Sequence, residues 1–386
     1  MPERHRRIAG LLLAIVAIGA TVYWFWPHAT TVESAAVQSA LSGGDTAGFQ
    51  RALAPRPFDF PTDHGPHPDF RTEWWYVTGN LSDAGGRRFG YQLTLFRIGL
   101  APAPPPEDSA WRTNQIYMAH FALTDVTGQK HHAFERFSRG AIGLAGAQAV
   151  PFRVWLEDWS LSGAENDAFP MRLQARQAGI ALDLTLITAK TIVLQGDHGL
   201  SQKSAEPGNA SYYYSYTRLP TQGTVSLGES AFQVNGASWL DREWSTSALG
   251  PEQSGWDWFA LQLDDGRDIM FYRLRRKDGG IDPHSKGALV AADGRARVLG
   301  RDEVELRPLG EWRSPASGDR YPAGWRLRLP AERLELTVTP KLADQELRLT
   351  VRYWEGAVSV EGRSGDRPIG GQGYLEMTRY ETPISP

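Results

Sequence analysis

The sequence predicts an all-β protein built as two tandem antiparallel barrels. Short strand-like stretches recur at regular spacing, separated by Gly- and Asp-rich turns. The order of those stretches in the first half returns in the second. The chain is also rich in flat side chains that suit pleated surfaces, with 14 Trp, 13 Tyr and 15 Phe in 386 residues. That length is comfortable for two domains and long for one.

The N-terminus stands apart. Arg4-His-Arg-Arg7 precedes Ile8 to Trp26, an uncharged, almost wholly apolar run ending in Tyr23-Trp-Phe-Trp26. A run of this length is near the minimum for spanning a bilayer. Its basic flank marks the cytoplasmic side and its aromatic end the far interface. We read residues 1–27 as an uncleaved anchor in the inner membrane, a transmembrane helix with the rest of the chain facing the periplasm. The rival reading is a signal peptide cleaved near Ser34-Ala-Ala36, which releases the protein to the periplasm. Residues 28–56 are small and polar and form a linker.

From Phe58 to Phe70 the prolines Pro61, Pro66 and Pro68 forbid a helix, so this stretch is an extended arm or lid. Thr72 to Thr78 alternates as a strand, Gly85-Gly86 turns, and Phe89 to Ile98 returns as its hairpin partner. A proline-rich loop covers Ala101 to Pro106. Ile116–Leu123, Phe152–Ser160, Met171–Ala175 and Ile180–Thr188 continue the strand series. Only Gly140 to Ala149 leans towards helix, and its glycines weaken that.

In the second half, Trp258–Gly266 and Ile269–Leu274 form a hairpin like the first. Leu182–Lys190 matches Leu334–Lys341, and Gly223-Thr-Val-Ser-Leu227 matches Gly356-Ala-Val-Ser-Val360. Gly236–Trp244 matches Gly371–Arg379, pairing Trp239 with Tyr374 and Asp241 with Glu376. Ser, Gly and Pro accumulate between Ser245 and Ser254, so the domains divide as 57–248 and 249–386.

Composition excludes several functions. A net charge of -3 leaves no basic footprint for nucleic acid. With no cysteine there is no disulfide, thiolate metal site, cysteine nucleophile or lipoprotein anchor. Pro66 rules out a helical metal pair at His64 and His67, so no metal is expected, and no cofactor motif occurs. No G-x-S-x-G elbow makes Ser245-Thr-Ser247 a hydrolase nucleophile.

Chemistry concentrates in Gly236–Trp244. In an extended strand, Trp239, Asp241 and Glu243 share one face, and Leu240, Arg242 and Trp244 share the other. If the acid-bearing face lines an apolar cup, desolvation and mutual repulsion raise one carboxyl pKa and create a general acid. The alternative is that both acids pair with Arg242 or other cations at a barrel mouth. His120 on its strand and His64 on the arm complete the catalytic candidates. Each has a plain alternative, as a core histidine and as a tie for the arm. Glu73, Trp75, Tyr76, Trp239, Arg242, Trp244 and Tyr213 are the ligand-binding candidates. For Glu73 a salt bridge to Arg71 or Arg97 is the alternative, and Tyr212-Tyr-Tyr214 either lines a lipid cleft or simply packs.

The pieces DHGPHPDFRTEWWYVTGNL, MAHFALTD, WLDREWS, GWDWFALQL and QGYLEMTRY resemble the AttH-like family, which is related to bacterial carotenoid 1,2-hydratases. The resemblance covers about residues 57 to 382. It implies lipocalin-like (calycin) barrels, an exported location and lipid or isoprenoid ligands. Some relatives are labelled secreted hydrolases, and some are encoded beside ABC exporters. Calycin barrels place a Trp of the first strand against an Arg of the last, which here implies Trp74 or Trp75 with Arg242. Where the hydratases carry Asp-His-x-Trp, this chain departs with Asp241-Arg-Glu-Trp244. The expected function is therefore an exported protein holding a hydrophobic ligand in its first barrel, with acid-assisted hydration or hydrolysis by Asp241, Glu243 and a nearby His. The alternative is a non-enzymatic lipid carrier or accessory factor of an ABC exporter. The second barrel, with Glu376 as its lone acid, is expected to be the less chemical copy.

Overall fold

The computed structural model describes residues 46–378 and 380, apart from 105, 107, 108, 247 and 248. The expected anchor, the cleavage site and most of the linker lie outside the described residues. Among those described, no helix is long and apolar enough to cross a membrane.

The described chain is all-β and forms two large curled, nearly closed sheets. In the first, the opening strand Thr72–Asp83 pairs with the closing strand Ser230–Ser245 on one side and with the second strand, Arg88–Gly99, on the other. The third strand Gln115–Asp125 and the fourth Lys130–Arg139 follow outward. Beyond the closing strand come the penultimate strand Ala210–Leu227 and then Ile180–Leu186. The second sheet repeats this order. Its opening strand Gln253–Leu263 lies between Asp268–Arg276 and the closing strand Arg367–Thr378, followed by Arg352–Ser364 and Leu334–Pro340. The helix-leaning stretch is turn and short strand instead, with Ala145–Gln148 paired to Arg153–Leu156.

The two strands of one sequence match keep their place in the repeat. Ile180–Leu186 and Leu334–Pro340 both lie next to a penultimate strand. The match of Gly223 with Gly356 does not. Gly223 pairs with Leu184, and the glycine in the equivalent place is Gly362, paired with Leu336. At both glycines a Cβ would stand within 2.2 Å of a neighbouring carbonyl oxygen, so no larger residue fits. A period-two pattern repeats along a long strand, and several registers satisfy it equally well.

The first sheet's interior is full. Val77, Leu93, Leu95, Phe121, Trp159, Leu173, Leu184 and Trp244 are all 0 % exposed. An empty hollow would leave exposed area on its lining, so the expected apolar cup is absent. Its aromatic and branched side chains occupy the space that a ligand would need.

One end of this sheet is closed by charge. Glu73, Arg97 and Arg242 are buried, and both guanidiniums hydrogen-bond the Glu73 carboxylate. The Arg242 guanidinium lies 3.9 Å from the Trp75 ring centre. The arm completes the plug. His67 stacks on Trp244 at 3.8 Å, its backbone N–H donates to Glu73, and Arg242 donates to the Gly65 carbonyl. Thr246, expected only as a spare hydroxyl, donates to the Gln50 carbonyl and holds the arm's start.

The halves are locked by a buried ion cluster. Asp268 of the second half accepts from Lys190 (2.6 Å), Thr217 (2.8 Å) and Arg218 (2.6 Å) of the first. Gln262 reaches across to the carbonyls of Thr217 and Ser238.

Removing one partner of a buried ion cluster strands the others. Glu73→Gln is expected to destabilise the fold by about 3–5 kcal/mol, read from urea denaturation midpoints. A loss under about 1 kcal/mol, the scale of an exposed pair, would contradict the closure described.

Candidate functional site

The closing strand obeys the predicted alternation, with the two faces serving the opposite roles. Leu240, Arg242 and Trp244 point into the filled interior or its plug. Trp239, Asp241 and Glu243 face the second half. There Tyr76, Tyr213 and Trp239 pack in one cluster with Trp258, Ala260, Met270, Tyr272, Leu274, Ala357 and Tyr374. The site therefore lies at the junction of the halves, outside both curled interiors.

Register assembles the first half's contribution. Ser215, Asp241, Tyr76, Thr94, His120 and Glu135 lie side by side on six neighbouring strands. Neighbouring strands lie roughly 5 Å apart, so Asp241 lies between Tyr76 and Ser215, while His120 stands farther along the row. In the second half Glu376 pairs with Trp258 on one side and Glu355 on the other.

Asp241 is 3 % exposed. It accepts hydrogen bonds from Tyr213 (2.6 Å), Ser215 (2.6 Å) and the Trp239 indole (2.7 Å). Burial pushes its pKa up to about 7; the three donors restrain the rise and Glu243 adds to it. Trp258 covers the same spot, donating to Tyr213 at 3.3 Å and standing edge-on to Tyr76 and Trp239.

Glu243 behaves differently. It accepts from Ser211 and pairs with Lys203 at 3.0 Å. Burial works against the Lys203 charge, but Glu243 and its other neighbours hold its pKa above the ordinary value. Neither acid pairs with Arg242, whose partner is Glu73.

The second half supplies two more acids. Glu355 is fully buried, accepts from Tyr76, and is pushed well above the carboxylate range by burial and by Glu376. Glu376 is raised to about 8 by burial, with Asp241 and Glu243 repelling its charge and Trp256 partly restraining it. The second copy thus brings two acids, Glu355 and Glu376, to the place where the halves meet. Tyr353, two residues from Glu355 on the same face, hydrogen-bonds His120 Nδ1 at 2.6 Å, and Glu135 contacts Nε2 at 3.1 Å. His120 thereby ties the end of the row to the second half.

The junction has a floor and a mouth. Thr78, Asn80, Trp239, Gln262 and Tyr374 line a small recess of about 10 Å³, far below the range of a site for a drug-sized ligand. Trp74, Leu249 and Trp256 are only partly buried against the cluster and, with Glu376, border its solvent side.

The structure thus brings Asp241, Glu243, Tyr76, Trp239, Tyr213 and His120 to one junction. It separates His64, Glu73, Trp75, Arg242 and Trp244, which build the plug and the interior. His64 is held by Tyr214 at 2.7 Å and gives its carbonyl to the Trp75 indole. Burial pulls the His64 pKa down to about 4, so the ring is neutral and distant in role from the acids. Sequence reasoning missed Ser215, Lys203, Trp258, Tyr353 and Glu355. The signal for Glu355 was present in Tyr353-Trp-Glu-Gly356, an acid within an otherwise apolar strand.

A family model described as AttH-like matches residues 51–380. The crystal structure of an AttH protein from Nitrosomonas europaea is 33% identical, with a TM-score of 0.77, covering 86% of this chain and 100% of that one. Kievitone hydratase from Nectria haematococca shares the fold at 15% identity and a TM-score of 0.64, over 86% of this chain and 96% of its own. CghA does so at 14% identity and 0.54, over 88% and 97%. No curated protein matches the chain.

The buried acids give stability a pH dependence. A carboxyl raised in the folded state stabilises fully below its unfolded pKa near 4, and that contribution is lost as pH rises through the folded value. With Asp241 near 7 and Glu376 near 8, stability should fall between about pH 4 and pH 8. The double variant Asp241→Asn, Glu376→Gln should show a shallower fall in urea midpoints across that window. Parallel curves for the two proteins would mean that neither acid is neutral when folded.

Proposed function

The chain belongs to the AttH-like family, and from that premise we propose that it is a hydratase-type catalyst working at the junction of two lipocalin-type halves. The substrate class is an apolar molecule with a carbon–carbon double bond, of lipid or isoprenoid character. The observation that carries this reading is a buried carboxyl at Asp241, its pKa pushed up to about 7, set among aromatic faces.

The chemistry follows from that pairing. Protonated Asp241 gives its proton to one alkene carbon, whose π pair forms the new C–H bond. The other carbon becomes cationic, and the electron-rich faces of Trp239, Trp258 and Tyr76 stabilise it. A water oxygen then donates a lone pair to that carbon, and the extra proton returns to the carboxylate cluster, which resets Asp241. Glu243 is paired with Lys203 and sets the local charge. Tyr213 and Ser215 position Asp241. Hydrolysis has less support, because Ser245 and Thr246 serve the strand end and the arm. Entry requires Trp74, Leu249 and Trp256 to part, since the packed junction has no room for a long guest.

An exported, membrane-tethered location belongs to the same proposal. Its support is the basic flank Arg4 to Arg7 ahead of the apolar run Ile8 to Trp26.

Asp241→Asn is nearly isosteric and should lower turnover by about 10²–10⁴-fold, the usual weight of a general acid, with affinity for the substrate little changed. The assay follows uptake of isotope-labelled water into acyclic isoprenoid polyenes by mass spectrometry. Binding without uptake in the wild type would instead support the carrier reading, in which lipid is handed to an exporter.

A further inference from the structure

We infer that one end of the first sheet is a second membrane contact, resting its loops in the surface of a lipid bilayer. Register defines that end. Thr72 pairs with Ile98 and Ser245, Ile98 with Ile116, and Ile116 with Arg139. Ser211 also pairs with Ser245. The segments before Thr72, between Gly99 and Gln115, and after Arg139 therefore emerge together.

Those segments carry Leu53, Leu100, Trp111 and Ile142, exposed by 67, 53, 58 and 48 %. The opposite end differs sharply. Its turns Ala84–Arg87, Thr127–Gln129 and Gly228–Glu229 present small or polar residues, and none of the exposed large hydrophobic side chains lies there. Single exposed apolar residues need no explanation, but their concentration at one end of a sheet does. The cations of that end are largely committed. Arg51 pairs with Glu206 at 3.2 Å and Arg56 with Asp63 at 2.6 Å. The contact is therefore apolar in character, with Trp111 suited to the headgroup boundary.

The chain's own start identifies the occupant. The described residues nearest the N-terminus lie at this end, where Gln50 bonds the Asp69 carbonyl and Tyr212 bonds Ala54. Ahead of them, residues 27–45 follow the apolar run Ile8–Trp26. Even as a flexible linker, a stretch of that length spans on average only about 25 Å. On that average, a bilayer holding that run would lie nearest this end. The junction's mouth opens at the same end, because Trp74 and Glu243 sit two pairs in from Thr72 and Ser245. An apolar molecule leaving the bilayer would meet Trp74, Leu249 and Trp256 without crossing water.

The chain has no cysteine, so single labels are unambiguous. Full-length protein in phosphatidylcholine vesicles would carry the fluorophore NBD at Trp111→Cys, at Ile142→Cys or, as the opposite-end control, at Ala84→Cys. Spin-labelled acyl chains should remove most of the fluorescence at positions 111 and 142 and leave position 84 unchanged. Quenching at 111 and 142 as weak as at 84 would overturn the inference. The readout is independent of catalysis, so its failure leaves the reading of Asp241 standing, and the failure of that reading leaves this surface standing.

Discussion

A β-strand has two faces, and over residues 238–245 of the closing strand both are buried. That constraint organises the molecule. One face carries Arg242 into the plug with Glu73 and Trp75 and fills the first interior with Leu240 and Trp244. The other face carries Trp239, Asp241 and Glu243 into the contact with the second half. Structural charge and chemical charge are thereby separated by a single residue step. Arg242 cannot neutralise Asp241 although the two are adjacent, because successive side chains point apart. Asp241 is left among neutral donors, and burial then favours its protonated form.

Duplication doubles the effect. The second half repeats the strand order and brings Glu376 to the place that Asp241 holds in the first, with Glu355 where the first has Ser215. Burying ionised carboxyls together is costly, and the molecule meets that cost by keeping them protonated or, at Glu243, by pairing with Lys203. A junction made only for adhesion would be more stable with apolar residues at these positions. The lock at Asp268 shows that the halves already have a conventional ionic clasp. The acids at Asp241, Glu355 and Glu376 are therefore surplus to assembly and consistent with chemistry.

Much of the architecture was legible. Alternation, turn residues and the repeated motif order are local signals, and they carried the all-β class, the hairpins and the duplication. The Trp75–Arg242 stack followed from the family resemblance. The separation of Trp239, Asp241 and Glu243 from Leu240, Arg242 and Trp244 was legible too, since it needs only period two. Which face met which core was not, because an apolar lining and an apolar junction write the same pattern along a strand. Glu355, Trp258 and Tyr353 meet Tyr76, Tyr213 and His120 of the first half through packing between residues more than a hundred positions apart in some pairs, such as Tyr76 and Glu355. No local pattern encodes such a meeting. The same ambiguity misplaced Gly356, whose neighbours read equally well in several registers.

The proposed chemistry stands on Asp241 keeping a large protonated fraction at neutral pH because of where the strand aims it. A carbon-13 NMR titration of the Asp241 carboxyl, assigned by comparison with Asp241→Asn, measures that directly. The account predicts an apparent pKa near 7, with the resonance still moving well above the range of exposed aspartates. A midpoint near 4, the ordinary value, would mean an ionised Asp241 at the junction and would remove the proton donor on which the proposed chemistry rests.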